Sequence, residues 1–133
     1  MHCTNIYPTP EKLIRLNCIV ELKKAYPKAL IGLSDHSKSI FPCIASVALG
    51  ARVIEKHFVF DKKKEKGPDV SSSMDFKELK ELIYASKIVF KSQGSKKKQP
   101  VSKEKSTIKF AFSSVVANRI INKGEKLNKK NIC

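Results

Sequence analysis

Short apolar runs and longer amphipathic ones alternate along the N-terminal part of the chain. Residues 1–7 read as an extended stretch stopped by Pro8 and Pro10, and Thr9-Pro10-Glu11 carries the cap, first-turn proline and early carboxylate of a helix start. Leu13, Leu16, Val20 and Leu22 then fall near one helical face, with Lys12, Arg15, Lys23 and Lys24 mostly off it, until Pro27 ends the run. A strand-length apolar run from Ala29 to Ser34 leads into the polar stretch Asp35-His36-Ser37-Lys38-Ser39. A second helix is predicted from Ile40 to Leu49, closed by Gly50. Arg52 to Phe58 reads as a third strand, followed by a Lys- and Gly-rich loop to Ser73. A third helix, capped near Asp75, carries Phe76, Leu79, Leu82, Ile83 and Val89.

Strands alternating with helices over this period predict parallel β/α units, because parallel neighbours are joined by a crossover, usually a helix. The expected fold class is therefore α/β, with three such units in residues 1–92. Residues 93–106, rich in Ser, Lys and Gln, are too polar to pack and predict a linker. The pattern then changes. Ile108, Phe110, Phe112, Val115 and Val116 make residues 107–117 β-rich, and Asn122-Lys123-Gly124-Glu125 reads as a turn, so residues 107–133 are expected to open a second, small β-rich domain.

Composition narrows the function classes. The 133 residues include 27 Lys+Arg against 12 Asp+Glu, a formal net charge of +15, and 41% hydrophobic residues, enough for a packed core. No apolar run approaches the ~18–20 residues of a membrane span, and the N-terminus lacks a signal-peptide pattern, so a cytoplasmic chain without a membrane partner is expected. Cys3, Cys18, Cys43 and Cys133 lie far apart with no C-x-x-C pair, which suggests neither a disulfide framework nor a thiolate zinc site. The lysines of 62–66 and 91–109 are interleaved with Ser, Gln, Pro and Glu rather than with Arg or aromatics, the composition of solvated surface and not of a specific nucleic-acid interface.

Polar residues converge where strands are predicted to end. Side chains two apart share a strand face. The first strand ends with Asn5 and Tyr7, the second with Ser34 and His36, the third with Glu55 and His57, and in parallel β/α architectures ligands bind at the C-terminal ends of strands. His36 and His57, brought together from neighbouring strands, suit one divalent cation with positions left open for water and substrate. They equally suit hydrogen-bonded residues at strand ends. Glu55 suits a base or an orienting carboxylate, or a structural ion pair with Lys56 or another lysine. Asn5 and Ser34 suit donors to a phosphate or carboxylate, or turn residues, and Gly67-Pro68-Asp69 is a turn signal bearing a ligand-competent Asp. His2 and Lys56 have the opposite parity and fall outside the set, Lys56 being expected to snorkel at the surface.

The strings HCTNIYPTP at 2–10, GLSDH at 32–36, VALGARVIEKHF at 47–58, GPD at 67–69 and FAFSSVVA at 110–117, in this order and spacing, resemble the N-acetylneuraminate (sialic acid) synthase family. The resemblance covers nearly the whole chain. It implies a TIM (β/α)8 barrel, a linker and a small antifreeze-like (SAF) domain, with residues 1–92 as the last three β/α units, 93–106 as the linker and 107–133 as the beginning of the SAF domain. It implies an enzyme that condenses phosphoenolpyruvate with an N-acylated amino sugar, N-acetylmannosamine in the sialic acid enzymes, using a divalent metal, Mn2+ ahead of Mg2+ or Co2+. By resemblance His36 and His57 are the metal ligands, Asn5 and Ser34 bind phosphoenolpyruvate, and Tyr7, Asp69 and Phe110 contact the sugar. Glu55 is then the catalytic carboxylate beside the metal and the reacting carbons.

A domain-swapped homodimer is implied for the full-length enzyme, with Phe110 packing on the sugar across it. HCTNIYPTP and GPDVSSSM lean toward the sialic acid branch rather than the related legionaminic or pseudaminic acid synthases. A non-catalytic half-barrel binding module is the alternative from another class. A complete barrel takes roughly 250 residues and three units leave sheet edges open. The chain alone is therefore expected to be marginally stable and inactive, the C-terminal part of a longer enzyme or a partial reading frame.

Overall fold

The computed structural model describes residues 1–133, which divide into two compact units, residues 1–96 and 97–133. In the first, the short strands β1 (His2–Cys3), β2 (Gly32–Asp35) and β3 (Val53–Lys56) form a parallel sheet in the order β1-β2-β3. Cys3 pairs with Ser34, and Ser34 and Asp35 pair with Glu55 and Lys56. Helices α1 (Glu11–Ile14) and α2 (Asn17–Ala25) join β1 to β2, α3 (Phe41–Leu49) joins β2 to β3, and α4 (Phe76–Ser92) follows β3. The expected alternation is present in strands shorter than the apolar runs. In the first, the amide of Ile6 turns back to the carbonyl of Thr4 at 3.0 Å, which removes it from any ladder just before Pro8.

The core lies between the sheet and its helices. Ile31 and Leu33 come from the β2 region, Ile19 from α2, Ile40 and Cys43 from the start of α3, and Met74 and Leu82 from α4 and its approach. The helical face expected over residues 11–25 holds for Leu16 and Leu22, which pack against the core, and is corrected for the other two. Leu13 and Val20 are 45% and 47% exposed, whereas Ile14 and Ile19 are buried. The cause is a break: Arg15 adopts a left-handed conformation, φ 52°, which ends α1 and resets the phase of α2. Thr9 does not cap α1 either. Pro10 holds the cap position, and the Thr9 hydroxyl donates to the Ile6 carbonyl at 2.7 Å.

The other helix ends follow their residues. Gly50, φ 105°, closes α3, its amide reaching the carbonyls of Ser46 and Val47. Asp75 caps α4 in a reciprocal box, accepting from the Glu78 amide at 2.9 Å while Glu78 accepts from the Asp75 amide at 2.8 Å. Gly32 is required for another reason. A Cβ there would stand 2.6 Å from the Val53 carbonyl oxygen and 2.9 Å from its Cβ, so β2 and β3 approach too closely for any side chain. Gly32→Ala is expected to lower stability by about 1–3 kcal/mol, read as an earlier urea midpoint. An unchanged midpoint would mean that the strands separate without cost.

In the second unit, α5 (Lys105–Ala111) follows a 3-10 turn at Ser102–Glu104. The expectation of a β-rich stretch at 107–117 is thus corrected over 107–111, where Phe110, 82% exposed, lies on the helix, whereas beyond it Val116 exchanges backbone hydrogen bonds with Cys133. Helix satisfies backbone groups within the segment, whereas a strand needs a neighbour, and pairing in this unit is confined to an antiparallel bridge between Ala117 and Ile132. The predicted turn is present, with the Glu125 amide donating to the Asn122 carbonyl at 3.0 Å. Buried Asn131 ties it down, donating to the Lys126 carbonyl at 2.9 Å and to Glu125. The Arg119 guanidinium, and then Asn131, hold the Glu125 carboxyl below the usual carboxylate range. No helix of the chain is long and apolar enough to cross a membrane.

Candidate functional site

The parallel register sets Cys3, Ser34 and Glu55 side by side across the three strands. Ser34 Oγ donates to Glu55 Oε1 at 2.6 Å, so Glu55 has a hydroxyl partner and not the lysine that spacing left open. Two residues further along, beyond the strand ends, stand His36 and His57, with ring centres 5.3 Å apart. Tyr7, which precedes Pro8 through a cis peptide bond, folds its ring against both, 4.1 Å from His36 and 5.9 Å from His57. Ser34, His36, Glu55 and His57 therefore occupy the common strand face predicted from alternation, and Tyr7 joins them.

Backbone groups orient the two imidazoles unequally. His36 Nδ1 lies 3.1 Å from the Thr4 carbonyl, which can only accept, so Nδ1 is the donor and Nε2 is the nitrogen left for another partner. Cys3 Sγ lies 3.9 Å from the same nitrogen. The carbonyl of His36 accepts from the Thr9 amide at 2.9 Å, and that of His57 from the Met74 amide at 2.8 Å, while the His57 ring makes no hydrogen bond within the chain. Ring centres 5.3 Å apart are close enough for one nitrogen of each ring to reach a shared cation, which His36 and His57 would hold together. Within residues 1–133 no third His, Cys, Asp or Glu gathers with the two rings.

The other predicted residues are less gathered. Asn5 is exposed and its Oδ1 accepts from Cys3 Sγ at 3.1 Å. Asp69 sits in the 3-10 turn Pro68–Ser72, where its carbonyl accepts from the Ser72 and Ser73 hydroxyls while its carboxylate makes no hydrogen bond or ion pair. Phe110 belongs to the second unit. A cleft of about 660 Å3 opens between α1, α2 and the start of α3, lined by Arg15, Leu16, Phe41 and Pro42 among others. None of the predicted site residues lines it.

Lys56 is corrected. Its ammonium does not snorkel but is buried on the helix side of the sheet, 2.7 Å from Asp35 Oδ2 and 2.7 Å from the Ser37 carbonyl, both side chains of the pair being 1% exposed. Asp35 also accepts from Ser37 Oγ at 2.8 Å and from Cys43 Sγ at 3.7 Å. Burial first, and then the neighbouring Asp35, pushes the Cys43 thiol up to about 12. A signal for the pair was present: aligning SDH at 34–36 with EKH at 55–57 on their histidines sets Ser34 against Glu55 and Asp35 against Lys56, the two cross-strand bonds observed.

The sequence model of the NeuB family matches residues 1–98. The chain belongs to the NeuB family. It is 45% identical over 132 residues to an uncharacterized protein of Methanocaldococcus jannaschii, and 39% identical over 132 residues to the N,N'-diacetyllegionaminic acid synthase of Campylobacter jejuni. Each alignment covers 99% of this chain and 39% of the relative, so the chain spans about two fifths of the length of these NeuB relatives. Among solved structures, the N-acetylneuraminic acid (sialic acid) synthetase of Leptospira borgpetersenii, crystallised with citrate, superposes with a TM-score of 0.73 at 36% identity. That match covers 81% of this chain and 37% of the other. The α/β arrangement of the NeuB chain is thus similar to part of a sialic acid synthetase.

Proposed function

We propose that this NeuB chain carries the metal and phosphoenolpyruvate end of an N-acetylneuraminate synthase, which joins phosphoenolpyruvate to N-acetylmannosamine and gives N-acetylneuraminate and phosphate. The observation that supports this reading is the Tyr7–His36–His57 cluster, one step beyond the Ser34–Glu55 bond, in a chain of this family. A divalent cation held by the two imidazoles, Mn2+ first, supplies Lewis-acid polarisation of the sugar aldehyde. In the condensation the enol carbon bonds to the aldehyde carbon, water adds at the carbon bearing the phosphate oxygen, and phosphate leaves.

In this reading the Asn5 amide and the Ser34 hydroxyl bind phosphoenolpyruvate. Ser34 has one proton to give, now held by Glu55, so a bound phosphate or carboxylate oxygen competes with Glu55 for it and frees that carboxylate to accept a proton. Tyr7 and Asp69 contact the sugar, and Phe110 packs on it across a domain-swapped homodimer. Residues 1–92 stand as the last three units of a TIM barrel, 93–106 as a linker and 107–133 as the beginning of a SAF domain, in a cytoplasmic enzyme of carbohydrate biosynthesis.

The 39% identity to the Campylobacter enzyme supports a second reading, synthesis of a diacetyllegionaminic acid, with the same metal and phosphoenolpyruvate residues. Phosphate release from phosphoenolpyruvate and Mn2+, assayed on the protein as its source organism makes it, separates the two. Release with N-acetylmannosamine supports the first, and release only with a di-N-acetylated amino sugar supports the second. No release with either sugar, from a protein that binds phosphoenolpyruvate, would sink the synthase reading.

A further inference from the structure

We infer that the buried Asp35–Lys56 ion pair is a positioning device that fixes the spacing of the two imidazoles, and this rests on the reading of His36 and His57 as joint metal ligands. Each histidine directly follows one member of the pair: His36 follows Asp35 and His57 follows Lys56. The Lys56 ammonium also holds the Ser37 carbonyl at 2.7 Å, so a single cation on β3 grips the chain on both sides of His36. The two strands are thereby bonded across both faces at their ends, through Ser34–Glu55 on the site side and Asp35–Lys56 on the helix side. Cys43, from α3, braces the carboxylate from behind.

Strand ends are where a ladder frays, and a shared cation tolerates only a few tenths of an ångström in ligand position. An ion pair one residue before each ligand, shielded from solvent, is stiff where the backbone ladder stops. Lys56 and Asp35 are positioning residues in this sense, since neither reaches the imidazole face.

The test uses the whole chain in four forms. Asp35→Asn/Lys56→Met removes both charges together and leaves no buried ion unpaired. Lys56→Arg keeps the charge, and Asp35→Asn keeps the shape of the side chain. Without metal, the ring-proton NMR shifts of His36 and His57 report their packing on Tyr7 and on each other. In the double variant these are expected to move toward free-imidazole values while the amide spectrum stays folded, and Lys56→Arg is expected to restore most of the difference.

With Mn2+ alone as probe, followed by its paramagnetic resonance, the double variant is expected to bind ~10–100-fold more weakly than the parent. Unchanged ring shifts and unchanged Mn2+ affinity in a folded double variant overturn the inference. If that variant does not fold, a further form, Asp35→Glu, which keeps both charges and lengthens the link, decides: it displaces the ring signals, or the inference falls. Displaced rings in the variant together with a parent that binds no Mn2+ keep the positioning role and sink the metal reading instead.

Discussion

His36→Ala and His57→Ala are each expected to lower Mn2+-dependent phosphate release at least ~10²-fold, because in the proposed reading each removes one of the two imidazoles that would hold a cation whose Lewis acidity contributes several kcal/mol. The two substitutions differ in their structural cost, and that difference makes the result readable. The His57 ring makes no hydrogen bond within the chain, so its removal costs its ring contacts with Tyr7 and His36 but no hydrogen bond. His36 gives up its bond to the Thr4 carbonyl, worth about 0.5–1.5 kcal/mol, and its contact with Tyr7. If the rings serve only as packing, activity follows stability, and His36→Ala is the worse of the two. If they share a cation, both variants lose activity to a similar degree, and raising phosphoenolpyruvate does not restore it, while Mn2+ affinity falls in step. An active His57→Ala enzyme would end the metal assignment.

How much of this is legible in the sequence depends on which physical rule governs each residue. Alternation along a strand is strict, so the common face of Ser34, His36, Glu55 and His57 followed from position alone. The cap at Asp75 is equally local, a carboxylate three residues before Glu78 at the head of an amphipathic run. Lys56 was misread because parity says which face a side chain takes and not what waits there. Its place opposite Asp35 is a fact of register between two strands 21 residues apart in sequence.

The break at Arg15 had no compositional mark, since a left-handed turn there is carried by a residue that ordinarily avoids it. Over residues 107–111 the β-rich reading failed for a different reason. Ile108, Phe110 and Phe112 alternate as a strand would, yet alternation forms a strand only against a neighbour, and α5 closes its own hydrogen bonds, the Phe112 amide reaching the Ile108 carbonyl at 3.2 Å. Asn5 entered the candidate site by the same parity as Ser34, on a strand that in fact ends at Cys3, Asp69 as the ligand-competent residue of a turn, and Phe110 through family resemblance. In the chain's own geometry none of them touches the ring cluster through a hydrogen bond or ring contact.

Lys56→Met is expected to cost about 3–5 kcal/mol of stability, the range for breaking a buried ion pair from one side, because it leaves the Asp35 carboxylate charged, 1% exposed and without its cation. That is a large share of the roughly 5–15 kcal/mol that holds a typical domain, so the variant is expected to populate unfolded chain at room temperature. Methionine nearly matches the length of lysine and fills the same space, which separates the electrostatic loss from a cavity. Adding Asp35→Asn should then recover most of the loss, since the amide still accepts from Ser37 and no charge remains buried. Urea unfolding of parent, both single variants and the double variant gives the coupling energy directly. A Lys56→Met chain as stable as the parent would mean that Asp35 reaches water or takes up a proton at little cost. A double variant no more stable than the single would mean that the Ser37 carbonyl, and not the carboxylate, is the group that cannot do without its donor.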